Sequence, residues 1–119
     1  MKAIFAAAIL AIATPAIAAP SAMEQYKSQL QRAGRNVDLA QNAVMCGIRS
    51  QRWFEVFQDG YQLLATSEAR RLGLGSAGLD AADEMAKAPP ARMPCAQLVN
   101  SPTMDKLDRI QDVLTGGFR

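Results

Sequence analysis

The chain has 119 residues, of which 20% are charged, and its 13 basic and 11 acidic residues leave a net charge of +2. A charge this small argues against a general nucleic-acid or membrane-surface binder. The sequence also contains no histidine. Because a Ser-His-Asp or Cys-His arrangement cannot be built from these residues, and because transition-metal sites commonly use histidine, we expect a non-catalytic protein without a cofactor.

The first eighteen residues have the pattern of a cleaved secretory signal peptide. Lys2 precedes an apolar run over residues 3–12, and Ala16-Ile17-Ala18 supplies the small residues that signal peptidase recognises. The run is shorter than the roughly 20 residues of a membrane-spanning helix, so no permanent span is expected. We predict cleavage after Ala18, with a cut after Ala19 less favoured because Pro20 would follow it directly.

Removal of residues 1–18 would leave a single small domain over residues 19–119. The Ala-rich signal favours the periplasm of a Gram-negative bacterium, with secretion from another kind of cell as the alternative. Cys46 and Cys95 fit such an oxidising compartment, and two cysteines allow one pairing. Without a C-x-x-C motif or a histidine, a redox pair or a zinc site is not indicated. We predict a structural disulfide.

The remaining sequence predicts an all-α fold, because strand-type alternation is absent and good helix formers dominate. A first helix is expected over residues 22–33, with Ser21 and Glu24 as a capping box and Gly34 as its stop or bend. An apolar stripe at helical spacing then predicts a long helix over residues 37–72. Gly47 lies inside this segment, and a kink or break near residues 47–50 is the alternative.

Three shorter elements follow the long segment. Residues 75–78 read as a flexible turn, and helices are predicted over residues 79–88, 95–99 and 102–114. Ser101 is the expected N-cap of the last helix. Its apolar stripe predicts burial of Met104, Leu107, Ile110 and Leu114. The sequence therefore predicts a small bundle of four or five helices with one long central helix, tied by one disulfide.

Two groups of carboxylates are candidates for acid–base or cation chemistry. They are Asp105, Asp108 and Asp112 on the last helix, and Asp80, Asp83 and Glu84 on the third. Lys106 and Arg109 alternate with the first group, as on a solvated helix face. Asp80 and Asp83 fall in the predicted first turn, where acids stabilise the helix dipole. We favour these structural interpretations over a catalytic site.

Methionines raise the idea of Cu(I) binding, which favours closely spaced thioethers. Apart from Met1, the methionines are Met23, Met45, Met85, Met93 and Met104. No two of them lie within seven positions of each other. Core packing is therefore the favoured interpretation.

The densest local pattern contains Arg49, Arg52 and Trp53, just after Cys46. Arg49 and Trp53 are spaced i, i+4, so a guanidinium can stack on the indole. The functional interpretation is an anion- or partner-binding patch with Trp53 as its anchor. The alternative, favoured by the register of Trp53 with the apolar stripe, places Trp53 in the core under the arginine stems. Both hold if Trp53 lies at the rim of the core.

Three classes of function follow from the sequence. The leading hypothesis is an exported, non-catalytic module that binds an unknown protein partner as an accessory, inhibitor or regulator. The second is a periplasmic stress chaperone that exposes an apolar helix face, using carboxylates as the acid sensor because no histidine titrates. The third is a small-ligand carrier, or an enzyme that uses carboxylates alone. A homodimer is compatible with each class.

Overall fold

A computed structural model describes residues 21–116 of the chain. The predicted signal peptide and its cleavage at Ala18 or Ala19 lie outside these residues. The helices are α1 (Ala22–Met45), α2 (Gln51–Arg71), α3 (Gly75–Met85), α4 (Cys95–Val99) and α5 (Pro102–Leu114). The predicted all-α bundle is confirmed. Among the helices of residues 21–116, none combines the length and apolarity that a membrane span requires.

Helix α1 continues through Gly34, where the sequence predicted a stop or bend. Its start is as predicted, because the N–H of Glu24 donates to Ser21 Oγ at 3.1 Å and the N–H of Ser21 donates to Glu24 Oε1 at 2.9 Å. A glycine inside a helix costs only about 1 kcal/mol relative to alanine. Burial of Leu30 and Leu39 on either side of Gly34 outweighs that cost.

The single helix predicted over residues 37–72 is divided at residues 46–50. Gly47 has a φ of 74°, and its N–H donates to the carbonyl of Val44 at 3.0 Å. The N–H of Ile48 donates to the carbonyl of Ala43 at 2.9 Å, which completes a Schellman motif. Ser50 then caps α2. The central element is therefore a pair of helices, and the alternative of a break near residues 47–50 is confirmed.

Helix α3 begins at Gly75, earlier than predicted, and ends at Met85. Gly73 has a φ of 70° and Gly75 a φ of 56°, so the chain reverses within a few residues. The segment predicted as a flexible turn therefore forms the first turn of α3. Asp80 and Asp83 lie beyond that turn, so the dipole stabilisation predicted for them does not apply.

The core consists of two apolar clusters, one at each end of the antiparallel α1–α2 pair. In the first, α4 and α5 cover the C-terminal half of α1 and the N-terminal half of α2. Its buried members are Leu39, Ala40, Ala43, Phe54, Phe57, Leu98, Met104 and Leu107. In the second, α3 covers the other end of the pair. Its buried members are Tyr26, Leu30, Ala65, Ala69 and Ala82.

The predicted disulfide is present and joins the end of α1 to the start of α4. The Cα atoms of Cys46 and Cys95 are 5.6 Å apart. The connector between α3 and α4, residues 86–94, is also held on α1. The N–H of Ala91 donates to Asp38 Oδ2 at 2.8 Å, and the carbonyl of Ala91 accepts from Asn42 Nδ2 at 3.0 Å. The Pro-containing connector is thereby fixed beside α1 and forms one wall of a cleft.

Candidate binding site

Arg49 lies in the loop between α1 and α2, and its side chain is engaged within the protein. Nε donates to Asp108 Oδ1 at 3.2 Å, and Nη2 donates to Asp108 Oδ2 at 2.6 Å. Nη1 donates to the carbonyl of Ile48 at 2.9 Å. The hydrogen bonds to Asp108 raise the pKa of Arg49 above its ordinary value. This bidentate ion pair holds the loop against α5.

Trp53 lies at the rim of the first core cluster, half-buried. Its ring centroid is 4.9 Å from that of Phe57, and Cζ of Arg49 lies 5.6 Å from the Trp53 ring centroid. The backbone carbonyl of Trp53 accepts from Gln111 Nε2 at 2.8 Å. Trp53 thus packs at the rim of the core, as the structural interpretation predicted, and carries an arginine over its ring.

Arg52 is exposed in the first turn of α2 and makes no ion pair within residues 21–116. Of the three residues predicted as a partner-binding patch, it is the one whose charge is free to meet another molecule. The use of Arg49, Arg52 and Trp53 as a partner surface stays a prediction.

The candidate carboxylates differ in their partners and in their exposure. Asp108 pairs with Arg49, whereas Asp105 and Asp112 are exposed. On α3, Glu84 pairs with Lys87 at 2.9 Å. In the part of the chain that the structure describes, residues 21–116, no group of three or more metal-ligating side chains is suitably placed for an ion. The surroundings of these carboxylates are therefore those of ordinary solvated helix faces.

An apolar groove of about 330 Å³ lies between α1, α2 and the C-terminal end of α5. We call it the α1/α2/α5 groove. Its lining includes Val37, Phe57, Tyr61, Leu63, Leu64, Ile110 and Leu114. Leu63 is 71% exposed and Leu114 is 42% exposed. Two leucines that a core would normally bury thus stand open to solvent at one concave surface.

Gly60 allows α5 to end close against α2. A Cβ atom built on Gly60 would lie 3.0 Å from Cδ2 of Leu114, closer than side chains normally pack. The missing side chain therefore leaves space for Leu114 to close one end of the groove. The prediction that Leu114 is buried was wrong, because α5 ends there and its last apolar residue lies at the open edge.

Neither Leu63 nor the groove is marked by the apolar pattern of the sequence. The predicted stripe runs through Phe57, Tyr61 and Leu64, and Leu63 lies one position away from it. An apolar residue just outside a stripe was the available signal. That signal is weak, because scattered exposed leucines are common on protein surfaces.

Neither the family models, the curated proteins nor the solved structures that we compared with this chain gave a match. The fold is a small helical bundle, an architecture that supports many unrelated functions.

Proposed function

We propose that this chain is an exported, non-catalytic binding module that holds an apolar segment of a protein partner in the α1/α2/α5 groove. The observation that supports this proposal is the exposure of Leu63 and Leu114 at a concave apolar surface. Burying apolar surface gains about 25 cal/mol per Å². Exposed apolar patches on soluble domains commonly mark interaction sites.

An amphipathic helix is the kind of partner that this shape favours. The groove follows two roughly antiparallel helices, and along α2 it runs from Phe57 and Gly60 to Ser67. The seven steps of 1.5 Å from Gly60 to Ser67 correspond to about 10 Å of helix. That length accommodates two apolar side chains one or two turns apart on a partner helix, which is how helix-in-groove recognition operates.

The patch predicted around Trp53 adjoins this groove. Trp53 packs on Phe57, and Phe57 lines the groove. A partner that fills the groove and continues along α2 would therefore reach Trp53 and the exposed Arg52. An acidic residue on the partner would pair with Arg52 and contribute more to orientation and association rate than to affinity. Arg49 positions the loop through Asp108.

Export is supported by two features of the chain. Residues 1–18 have the signal-peptide pattern, and disulfides such as Cys46–Cys95 persist mainly in the periplasm or outside the cell. N-terminal sequencing of the protein recovered from its native host tests this part of the proposal. A first residue of Ala19 or Pro20 is expected, and an intact Met1 in the mature protein contradicts export by cleavage.

The binding proposal is tested with a matched pair of substitutions. Leu63→Asp places a charge in the groove, whereas Leu79→Asp changes an exposed leucine on α3 outside it. Both sites are solvent-exposed, so both variants should fold, which circular dichroism checks. We expect proteins that co-purify with the wild type from a native extract to remain with Leu79→Asp and to be lost with Leu63→Asp. The same recovery with both variants contradicts the proposal.

A further inference from the structure

A second concave site lies between α1, α2 and the connector, and we call it the connector cleft. Its volume is about 780 Å³, within the roughly 300–1,000 Å³ typical of small-molecule sites. Tyr61 and Val37 line both this cleft and the α1/α2/α5 groove. The other walls come from α1, the end of α3 and residues 86–91.

One part of the connector cleft is apolar. Leu30, Met85 and Pro89 contribute aliphatic surface, and Tyr61 contributes an aromatic ring. Gly34 keeps this part open, since a Cβ atom built there would already touch Cε1 of Tyr61 at 3.6 Å. A larger side chain at position 34 would extend into the space beside the ring. The apolar part therefore suits a planar or branched hydrocarbon body.

Another part of the cleft presents hydrogen-bond donors. Arg35 lies one helical turn after Gln31 on α1, so their side chains share a face. Within residues 21–116, the Arg35 side chain forms neither an ion pair nor a hydrogen bond. Its charge is therefore available to a ligand.

The acidic residue of the cleft is already engaged. Asp38 accepts the N–H of Ala91 at 2.8 Å, which ties its carboxylate to the connector. The Tyr61 hydroxyl forms no hydrogen bond with the described residues. Burial, and then the negative charge of Asp38, raise the pKa of Tyr61, so its hydroxyl keeps its proton and remains a donor. Arg35, Gln31 and the Tyr61 hydroxyl thus provide donors that no described residue uses.

We propose that the connector cleft binds a small organic anion with an apolar body, such as an aromatic carboxylate or sulfonate. The anionic group lies near Arg35 and Gln31. The hydrocarbon body packs against Leu30, Met85 and the ring of Tyr61. This site shares Val37 and Tyr61 with the α1/α2/α5 groove but is otherwise lined by different residues, and it adds a ligand-binding role to the proposed protein-binding role.

The test compares two fluorescent probes that share an aromatic body. 8-Anilino-1-naphthalenesulfonate carries a sulfonate, and N-phenyl-1-naphthylamine has no charge. Titrations use the wild type, Arg35→Gln and the control Arg70→Gln, which removes an exposed charge from α2 outside the cleft. We expect Arg35→Gln to weaken sulfonate binding about fivefold, the effect of one solvent-exposed ion pair. Binding of the neutral probe should not change, and Arg70→Gln should behave as the wild type.

Amide chemical-shift mapping then locates the sulfonate probe. The proposal expects perturbations in residues 30–38 and 85–91, and the same perturbations in Leu63→Asp, where the groove is blocked. Absence of sulfonate binding to the folded protein, equal affinity for wild type and Arg35→Gln, or perturbations centred on Leu63 and Leu114 would each overturn it. Because Leu63→Asp affects only the groove, failure of one site is distinguishable from failure of the other.

Discussion

The guanidinium of Arg49 connects three parts of the molecule. It contacts its own loop through Ile48, α5 through Asp108 and α2 through the ring of Trp53. A planar group with five donors can satisfy these contacts together, whereas a lysine ammonium cannot. Arg49, predicted as one member of a partner-binding patch, therefore stabilises the loop, whereas Arg52 is exposed and forms no ion pair within residues 21–116.

Loss of the Arg49–Asp108 pair should destabilise the fold modestly. The side chains of Arg49 and Asp108 are 31% and 42% exposed, so water screens the pair and solvates Asp108 once it is alone. We expect Arg49→Met to lower the free energy of unfolding by about 1 kcal/mol. Arg52→Met, at an exposed position without an ion pair among the described residues, should stay within about 0.5 kcal/mol of the wild type.

Urea unfolding of Arg49→Met, Asp108→Asn and the double variant checks this ion pair. The double variant should lose less stability than the sum of the two single losses, because each single change already removes the same interaction. Additive effects, or equal losses for Arg49→Met and Arg52→Met, would show that the pair contributes nothing.

Two carboxyl groups link stability to acid pH. Hydrogen bonds from Arg71 lower the pKa of Glu68 below its ordinary value of 4.5, and the N–H of Ser21 does the same for Glu24. Their stabilising effect is complete above the pKa of the unfolded chain. It is lost as the pH falls through the lowered pKa of the folded state, because protons then bind the unfolded chain preferentially.

We therefore expect the melting temperature of the wild type to fall between about pH 5 and pH 3, and that of Glu68→Gln to fall less. Glu55→Gln serves as the control, since Glu55 is exposed on the same helix and forms no ion pair within residues 21–116. If all three proteins instead lose their tertiary structure together, with hydrophobic surface exposed, the acid-chaperone hypothesis gains support.

At the scale of the helices, the ends that depend on neighbouring residues were predictable. Ser21 with Glu24, and Ser101 with Pro102, start their helices through bonds that span two or three residues. Gly34 and Gly47 show the limit of predicting helix ends from neighbouring residues. Both glycines interrupt a helical pattern, yet α1 continues through Gly34 and ends at Met45, two residues before Gly47. Whether α1 continues or ends at a glycine depends on which of its surfaces α2, α4 and α5 cover. The local sequence does not determine that coverage.

In the candidate surface, too, contacts between residues close in sequence were predictable and contacts between distant residues were not. The contact between Arg49 and Trp53 was predicted from i, i+4 spacing on one helix, but Arg49 lies in the loop before α2 and reaches the ring from there. The partner of Arg49, Asp108, is 59 residues away and became visible only in the folded chain. The exposure of Leu63 and Leu114 likewise depends on where α5 ends relative to α2. Long-range placement therefore defines the groove, although its residues are ordinary apolar helix residues.

Two glycines inside helices should respond in opposite ways to alanine. At Gly34 a Cβ atom would make an ordinary contact at 3.6 Å with the Tyr61 ring. Gly34→Ala should therefore raise stability by about 0.5–1 kcal/mol through helix propensity. At Gly78 a Cβ atom would lie 3.0 Å from the Cβ atoms of Ala69 and Leu74, which cannot rotate away. Gly78→Ala should cost about 1–3 kcal/mol.

Thermal unfolding of these two variants measures the difference directly. Each variant is the control for the other, because both add one methyl group to a glycine within a helix. A rise of the melting temperature in both variants would mean that the close approach of α3 to α2 at Gly78 does not limit packing there, and a fall in both would contradict the gain expected at Gly34.

At the scale of the whole molecule, different interactions stabilise the two ends of the bundle. The end formed by α3 depends on the second apolar cluster and on the buried hydroxyl of Tyr26, which donates to the carbonyl of Ala65 at 2.8 Å. The end formed by α4 and α5 depends on the first cluster, the Arg49–Asp108 pair and the disulfide. The helix α4 has a single buried side chain, Leu98, so the covalent bond carries more of its attachment.

Removing the disulfide should therefore loosen one end of the molecule before the other. The bond joins residues separated by 49 positions, and closing a loop of that size stabilises a domain by about 2–4 kcal/mol. We expect the double variant Cys46→Ala/Cys95→Ala to lose about that much stability in urea unfolding. In hydrogen exchange, protection should fall most in α4 and α5, because the second cluster contains no residue beyond Met85.

Met45→Ala is the matched control for the cysteine variant, because Met45 lies next to Cys46 and is 66% exposed. It should leave both stability and exchange close to those of the wild type. Equal loss of protection in all five helices of the cysteine variant would contradict the two-ended description, since the α1–α2 pair would then unfold together with α4 and α5 as one unit. Retained protection in α1, α2 and α3 would instead show that these helices remain folded when the C-terminal helices detach.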